Sequence, residues 1–147
     1  MSTRQTRLVL LAALLGIVAP FVQAGPALAA GSVKISKIQY AQRGTNLNSE
    51  YIVFKNTSSA TVQLKGWEII SAPSSDNQHY FFPRTKVAPG HTLTLYTGSG
   101  NNAPGKRYWG ATTPRWDNSG DKAILKNAAG TKVDTCQYSG GGTQQFC

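Results

Sequence analysis

Acidic residues are scarce in this chain: six Asp and Glu among 147 residues, against 15 Lys and Arg. That shortage excludes several kinds of chemistry. A glycosidase needs two carboxyl groups facing one cleft, yet Glu50 and Glu68 stand in separate apolar segments with nothing to bring them together. Asp117-Asn118-Ser119-Gly120-Asp121 has some of the residues of a calcium loop but lacks the distal bidentate Glu and runs straight into Lys122. It reads as a turn in which Asp and Asn bond their own backbone. Histidine is rarer still. His79, beside Tyr80-Phe81-Phe82, reads as a strand residue, and His91, after Pro89-Gly90, as an exposed turn residue. The chain has no G-x-S-x-G, no His/Cys cluster at zinc spacing and no glycine-rich loop opening a helix. With the set of catalytic roles unfilled, the expectation is a non-enzyme that needs no metal and no cofactor.

Long apolar runs are also missing, except at the start. Residues 8–22 are apolar apart from Gly16 and Pro20, follow Arg4 and Arg7, and lead to Ala27-Leu28-Ala29. A positive n-region, a short apolar core and an A-x-A site describe a cleavable secretory signal peptide. The run falls short of the roughly 20 residues of a spanning helix. The two arginines are not adjacent, so general secretion is expected, with cleavage after Ala29 or Ala30. The mature part, residues 31–147, is one domain of ordinary size with no second run able to span a membrane, and its expected location is extracellular. The leader takes two of the basic residues, which leaves 13 against six acids, a net +7. Such an excess biases a protein toward anionic partners such as nucleic acid or phosphate-rich wall polymer.

Cysteine is limited to Cys136 and Cys147. In a chain bound for an oxidising space the two are expected to pair. The bridge would staple the last residue to the final strand across a glycine-rich tail, worth about 2–3 kcal/mol in the chain-entropy model.

What the mature chain does have is short apolar stretches separated by turn residues every 8–12 positions or so, the pattern of a sandwich or barrel. Val33 and Ile35 share one face, but Ile38 and Tyr40 are out of phase with them. A bulge near Ser36-Lys37 would bring both pairs to the core. Residues 50–56 read as a strand, and within it Tyr51-Ile52-Val53-Phe54 is apolar on both faces, as a central strand requires. Further strands are expected over 61–64, 67–71, 79–82, 92–97 and briefly at Tyr108-Trp109, with a final hairpin of 122–126 and 131–138 across Asn127-Ala128-Ala129-Gly130. Pro89-Gly90 suits the central positions of a type II turn. No stretch has helical periodicity, and the fold class is an all-β sandwich of eight or nine strands.

Three tryptophans remain to be placed. Trp67 opens an alternating strand and reads as core. Trp109 and Trp116 flank a loop and are either loop anchors or an exposed pair. Arg84, Lys86, Lys106, Arg107 and Arg115, interleaved with Tyr108, Trp109 and Trp116, form a candidate ligand surface, since cations next to aromatics suit nucleic acid or anionic glycans.

The order of several motifs resembles the lamin tail domain, an immunoglobulin-like module. The carriers are Asn48-Ser49-Glu50-Tyr51-Ile52-Val53-Phe54-Lys55-Asn56, Val62-Gln63-Leu64-Lys65-Gly66-Trp67, Tyr80-Phe81-Phe82-Pro83, Ala88-Pro89-Gly90 with Thr92-Leu93-Thr94-Leu95-Tyr96-Thr97-Gly98, and residues 116–125 from Trp116 to Leu125. The resemblance covers most of the mature chain. It implies a compact immunoglobulin-like β-sandwich, structural roles for Gly66-Trp67 and for residues 116–121, no catalytic residues, and an interaction module as the function. The partner would be an anionic polymer or another protein. A carbohydrate-binding module using exposed Trp and Tyr is the alternative, and a small secreted hydrolase or nuclease the distant one.

Overall fold

The computed structural model describes residues 32–73 and 76–147. The expected leader, residues 1–30, lies outside them. The described residues form eleven strands: β1 (Val33–Gln39), β2 (Tyr51–Asn56), β3 (Val62–Gln63), β4 (Glu68–Ser71), β5 (Gln78–Phe81), β6 (Lys86–Val87), β7 (Thr92–Tyr96), β8 (Lys106–Tyr108), β9 (Asp121–Lys126), β10 (Lys132–Tyr138) and β11 (Gln144–Phe146). One sheet has five strands in the order β11-β1-β2-β7-β8, the other four in the order β10-β9-β4-β5, and β3 pairs with β6 in a short ribbon. All pairings are antiparallel except β7 with β8. A 3-10 turn over Leu47–Ser49 leads into β2.

The local sequence explains much of this. The pairing of β1 with β2 shifts between Ile35 and Lys37. Ser36 is the extra residue, and Ile35 and Ile38 both reach the core. β2 lies in the middle of its sheet, between β1 and β7, as its two-faced apolar pattern requires. In the turn before β7, the His91 N–H donates to the Ala88 carbonyl at 3.1 Å. Gly90 there has φ +71°, a conformation that glycine supplies at no steric cost.

Ile35, Ile38, Ile52, Phe54, Leu93 and Leu95 of one sheet pack against Ile69, Ala123, Leu125, Cys136 and Tyr138 of the other. Trp67 joins this core, as expected. The sandwich is closed along both edges by aromatic pairs. Tyr40 stacks on Tyr138 with centroids 4.1 Å apart on one side, and Tyr80 meets Trp109 at 5.6 Å on the other.

Two elements differ from the sequence reading. The stretch before the Pro89-Gly90 turn, where no strand is expected from the sequence, holds one: Lys86 and Val87 pair with β3. The C-terminal segment, read as a stapled tail, instead forms β11, which pairs with β1 through Gln144, Gln145 and Phe146. Cys136 and Cys147 are joined, with Cα atoms 5.8 Å apart. The bridge therefore links β10 of one sheet to the end of β11 in the other. Replacing both cysteines by serine should lower the unfolding free energy by about 2–3 kcal/mol, the loop-closure entropy of so short a span. Denaturant midpoints measured without reductant would show this, and equal midpoints for the two proteins would refute it.

Candidate functional site

The eight residues of the sequence-derived ligand surface do not stay together. Arg84 and Lys86 flank Thr85 on the segment that enters β6, and both are exposed. Arg107 of β8 donates from Nε to Thr85 Oγ1 at 2.9 Å and from a terminal nitrogen to the carbonyls of Ala103 and Lys106 at 2.7 Å. Arg84, Lys86, Lys106 and Arg107 thus share one corner of the molecule. Tyr108 stands beside them on the outer face of β8.

The other three depart from that reading. Trp116 is 2% exposed and belongs to the core. Trp109 is half-buried and meets Trp116 edge to face, at 6.2 Å and 84°. The two rings therefore do not form an exposed coplanar pair, because each is needed to fill the seam between the sheets. Arg115 is half-buried beside them and faces a groove with Asp76 and Asp117.

The sheet pairings add a surface that sequence reasoning missed. On the outer face of the five-stranded sheet, three cross-strand rows run from β1 toward β8. Lys34 lies opposite Lys55, which lies opposite Thr92. Lys37, Val53, Thr94 and Lys106 form the second row, and Gln39, Tyr51, Tyr96 and Tyr108 the third. The signal for these residues was the period-2 alternation of Tyr51, Val53 and Lys55 and of Thr92, Thr94 and Tyr96. Their alignment into rows needed the register, which is non-local.

The third row is closed at both ends. The Lys37 ammonium donates to the Tyr51 hydroxyl at 2.7 Å and sits 4.7 Å from the centre of its ring. Tyr51 meets Tyr96 at 5.7 Å, and Tyr96 stacks on Tyr108 at 5.2 Å with 21° between planes. Gly100 lies against the Tyr108 ring so closely that a Cβ there would come within 2.4 Å of it. Only glycine fits that approach.

Next to the first row, Thr92 also lines an open groove of about 310 Å³ with Lys86, His91, Pro104 and Gly105. The groove lies between Thr92, opposite Lys55, and Lys86 of β6, and the residues from Lys55 to the Arg84–Arg107 corner make up a basic belt. Among the described residues, no Asp or Glu stands on any strand of the five-stranded sheet. One acid approaches it from outside: Asp134 of β10 pairs with Lys34 at 3.6 Å and accepts the Ile35 N–H at 2.8 Å.

The remaining carboxylates are occupied elsewhere. Glu50 is fully buried, and its Oε1 accepts from Thr97 Oγ1 at 2.6 Å, the Arg115 N–H at 2.7 Å and the Trp116 N–H at 3.4 Å. Burial raises its pKa against the pull of those donors. Asp121, also buried, is raised by the same cause. The Ser71 hydroxyl lies 2.6 Å from the Arg115 carbonyl and 2.7 Å from Asp121 Oδ2. It has a single hydrogen, so both contacts are hydrogen bonds only when Asp121 carries the proton. Both carboxyls hold the Arg115–Trp116 peptide in place.

His79 bonds through Nδ1 to Glu68 at 2.6 Å, and Lys126 approaches the other Glu68 oxygen at 3.8 Å. Among the described residues no hydroxyl or thiol is hydrogen-bonded to His79. Nor does any group of three or more His, Cys, Asp or Glu among them gather as a metal site. Asp117 accepts from the Ser119 hydroxyl and N–H, and these bonds lower its pKa. Residues 117–121 are thus a self-bonded turn.

A two-sheet β-sandwich of immunoglobulin type, with its buried carboxyls spent on packing, is the class that this fold and surface define. The family model of the Lamin Tail Domain matches residues 26–140, and the chain belongs to that family. The family is one of non-catalytic immunoglobulin-like domains. No curated protein matches the chain. Among the described residues, no helix is long and apolar enough to cross a membrane.

The buried pair makes stability fall with rising pH. A carboxyl whose folded pKa is raised contributes most below its unfolded value, about 4, and loses that contribution as the pH climbs through the folded one. Glu50→Gln keeps the Oε1 acceptor and should flatten the decline in unfolding free energy above pH 4. Glu50→Ala orphans the three donors and should cost at least about 2 kcal/mol. Equal pH slopes for wild type and Glu50→Gln would contradict the assignment.

Proposed function

We propose that this chain is an exported, non-catalytic interaction module that engages an anionic polymer, with the basic belt as its contact surface. The observation that carries the reading is charge segregation. Of the belt, Lys55, Lys106 and Arg107 stand on the five-stranded sheet, whose strands carry no acid among the described residues, and Arg84 and Lys86 adjoin it where Arg107 bonds Thr85, while Glu50 and Asp121 are spent inside the core. Export is supported by the leader pattern of residues 1–30 and by the Cys136–Cys147 bridge, which suits an oxidising compartment. Association driven by lysines that neutralise phosphates releases counterions and therefore weakens with salt. The neutral-carbohydrate alternative calls for an exposed coplanar aromatic pair, and the edge-to-face Trp109 and buried Trp116 lend it no support.

The mature domain should be retained at low salt on immobilised DNA or on wall polymer. If about four phosphates are contacted, log K should fall with log salt at a slope of about −3. Lys55→Gln, Lys86→Gln and Lys106→Gln combined should abolish most of that retention. Failure to bind any anionic polymer at low salt would remove the reading. Salt-insensitive retention on a neutral glycan, lost in Trp109→Ala, would replace it with the carbohydrate one.

A further inference from the structure

We propose that two copies of this domain pair through the edge strand β5, antiparallel about a two-fold axis at Tyr80, so that their four-stranded sheets join into one of eight strands. The inference needs no polymer and is independent of the polyanion reading.

The main chain supplies the first observation. β5 is the last strand of its sheet and has β4 on one side only. The Phe82 N–H donates to the Trp67 carbonyl at 2.8 Å, and the Ala72 N–H donates across the other side of β4 to the Lys122 carbonyl of β9 at 3.0 Å. Successive residues of a strand turn their N–H and C=O groups to opposite sides. Gln78 and Tyr80 therefore bond toward β4, whereas His79 and Phe81 turn their groups away from it. No main-chain bond to another described residue occupies them there. The margin at β8, by contrast, is closed by its own loop: Lys106 exchanges both main-chain bonds with Ala103, and the Tyr108 N–H donates to Asn102.

The second observation is apolar. Phe81 is 65% exposed, one of two large apolar side chains left in solvent among the described residues. The other, Phe146, stands on β11, where its carbonyl accepts from the Gln145 side chain. An open edge strand that also shows an apolar side chain is a template for a further strand.

What selects a second copy is the register. His79 and Phe81 offer four main-chain groups, and one two-fold antiparallel register uses all of them: His79 opposite Phe81 of the second copy, and Tyr80 opposite itself. Each Phe81 then lies beside the other copy's His79 and comes within reach of the other Phe81 on the diagonal, about 7–8 Å away. The same register matches the flanking charges. Asp76 and Arg84 lie at equal spacing on either side of Tyr80, so the pairing brings Asp76 of each copy toward Arg84 of the other. Both are exposed and stand in no ion pair among the described residues; Asp76 accepts from the Gln78 side chain through Oδ2. A parallel pairing would set Asp76 on Asp76 and Arg84 on Arg84. Glu68, opposite Phe81 on β4, is matched by His79 and Lys126 within its own copy. The surface is thus complementary to itself, as a closed two-fold dimer requires.

Sedimentation equilibrium of the mature domain at physiological salt, without polymer, reads the association. The wild type should dimerise. Phe81→Lys should weaken the dimer about tenfold, because two ammonium groups then meet where the rings did. Asp76→Arg and Arg84→Asp should each weaken self-association about fivefold, since each sets like charges against one another at both ends of the joint. An equimolar mixture of those two variants should associate as the wild type does, and so should the double variant. A chain that stays monomeric at every concentration would overturn the inference and leave the edge to a strand of a different protein. A dimer as tight in Phe81→Lys as in the wild type would overturn it too. So would charge variants that associate like the wild type singly, or that mixing fails to rescue.

Discussion

The carboxylate of Glu50 is the constraint on which the rest of this structure hangs. It is fully buried at the entry to β2 and gathers donors from Thr97, Arg115 and Trp116. A buried acceptor left without donors costs on the order of 1–3 kcal/mol, so the segment carrying Arg115 and Trp116 is held where it can satisfy the acid. That position drives the Trp116 indole into the core and sets Trp109 against Tyr80. Ser71 and Asp121 fasten the same segment from the other sheet, through the Arg115 carbonyl. A loop long enough to wander is thus tied to both layers.

This internal use of acids shapes the outside. A chain with six carboxylates that buries two of them has few left with which to balance 13 basic residues after the leader. Glu68 is engaged by His79 and Lys126, and Asp134 by Lys34 and the Ile35 N–H. Asp76 and Asp117 line the same groove, away from the five-stranded sheet. The basic belt is therefore partly a by-product of how the core is built. Lys55 and Lys106 of that belt stand on a five-stranded sheet whose strands carry no acid among the described residues.

Much of the sandwich was legible in the sequence, and the parts that were not share one physical cause. The phase slip between Ile35 and Ile38 announced the bulge because a period of two is local. The apolar run at Tyr51-Ile52-Val53-Phe54 announced a central strand for the same reason. The Asn127–Gly130 turn announced the last hairpin, and the Gly130 N–H does close it onto the Asn127 carbonyl at 2.9 Å. By contrast, Gln144-Gln145-Phe146 has no apolar alternation. It is a strand only because β1 offers it an open edge and the bridge to Cys136 holds it there. Lys86-Val87 is a strand only because β3 lies opposite. Trp116 looked like a loop residue because its burial depends on Glu50, 66 positions earlier in the chain. The candidate surface was half legible: the Arg84, Lys86, Lys106 and Arg107 corner came from composition, whereas the Lys34, Lys37, Lys55 and tyrosine rows came only from register.

The tyrosine row also bears on how such a surface can work. Three rings packed in sequence across β2, β7 and β8, capped by a lysine and a glycine, stiffen the face from which the free lysines project. Stiffness in the platform leaves only the lysine side chains to be ordered on binding, a cost of about 0.5–1.5 kcal/mol each. The contact between one domain and one short polymer segment is screened at physiological salt, where screening acts over about 8 Å. A long polyanion changes that balance. It presents the same repeating group many times, so dissociation from one segment leaves the domain beside the next, and retention grows with polymer length without any new contact.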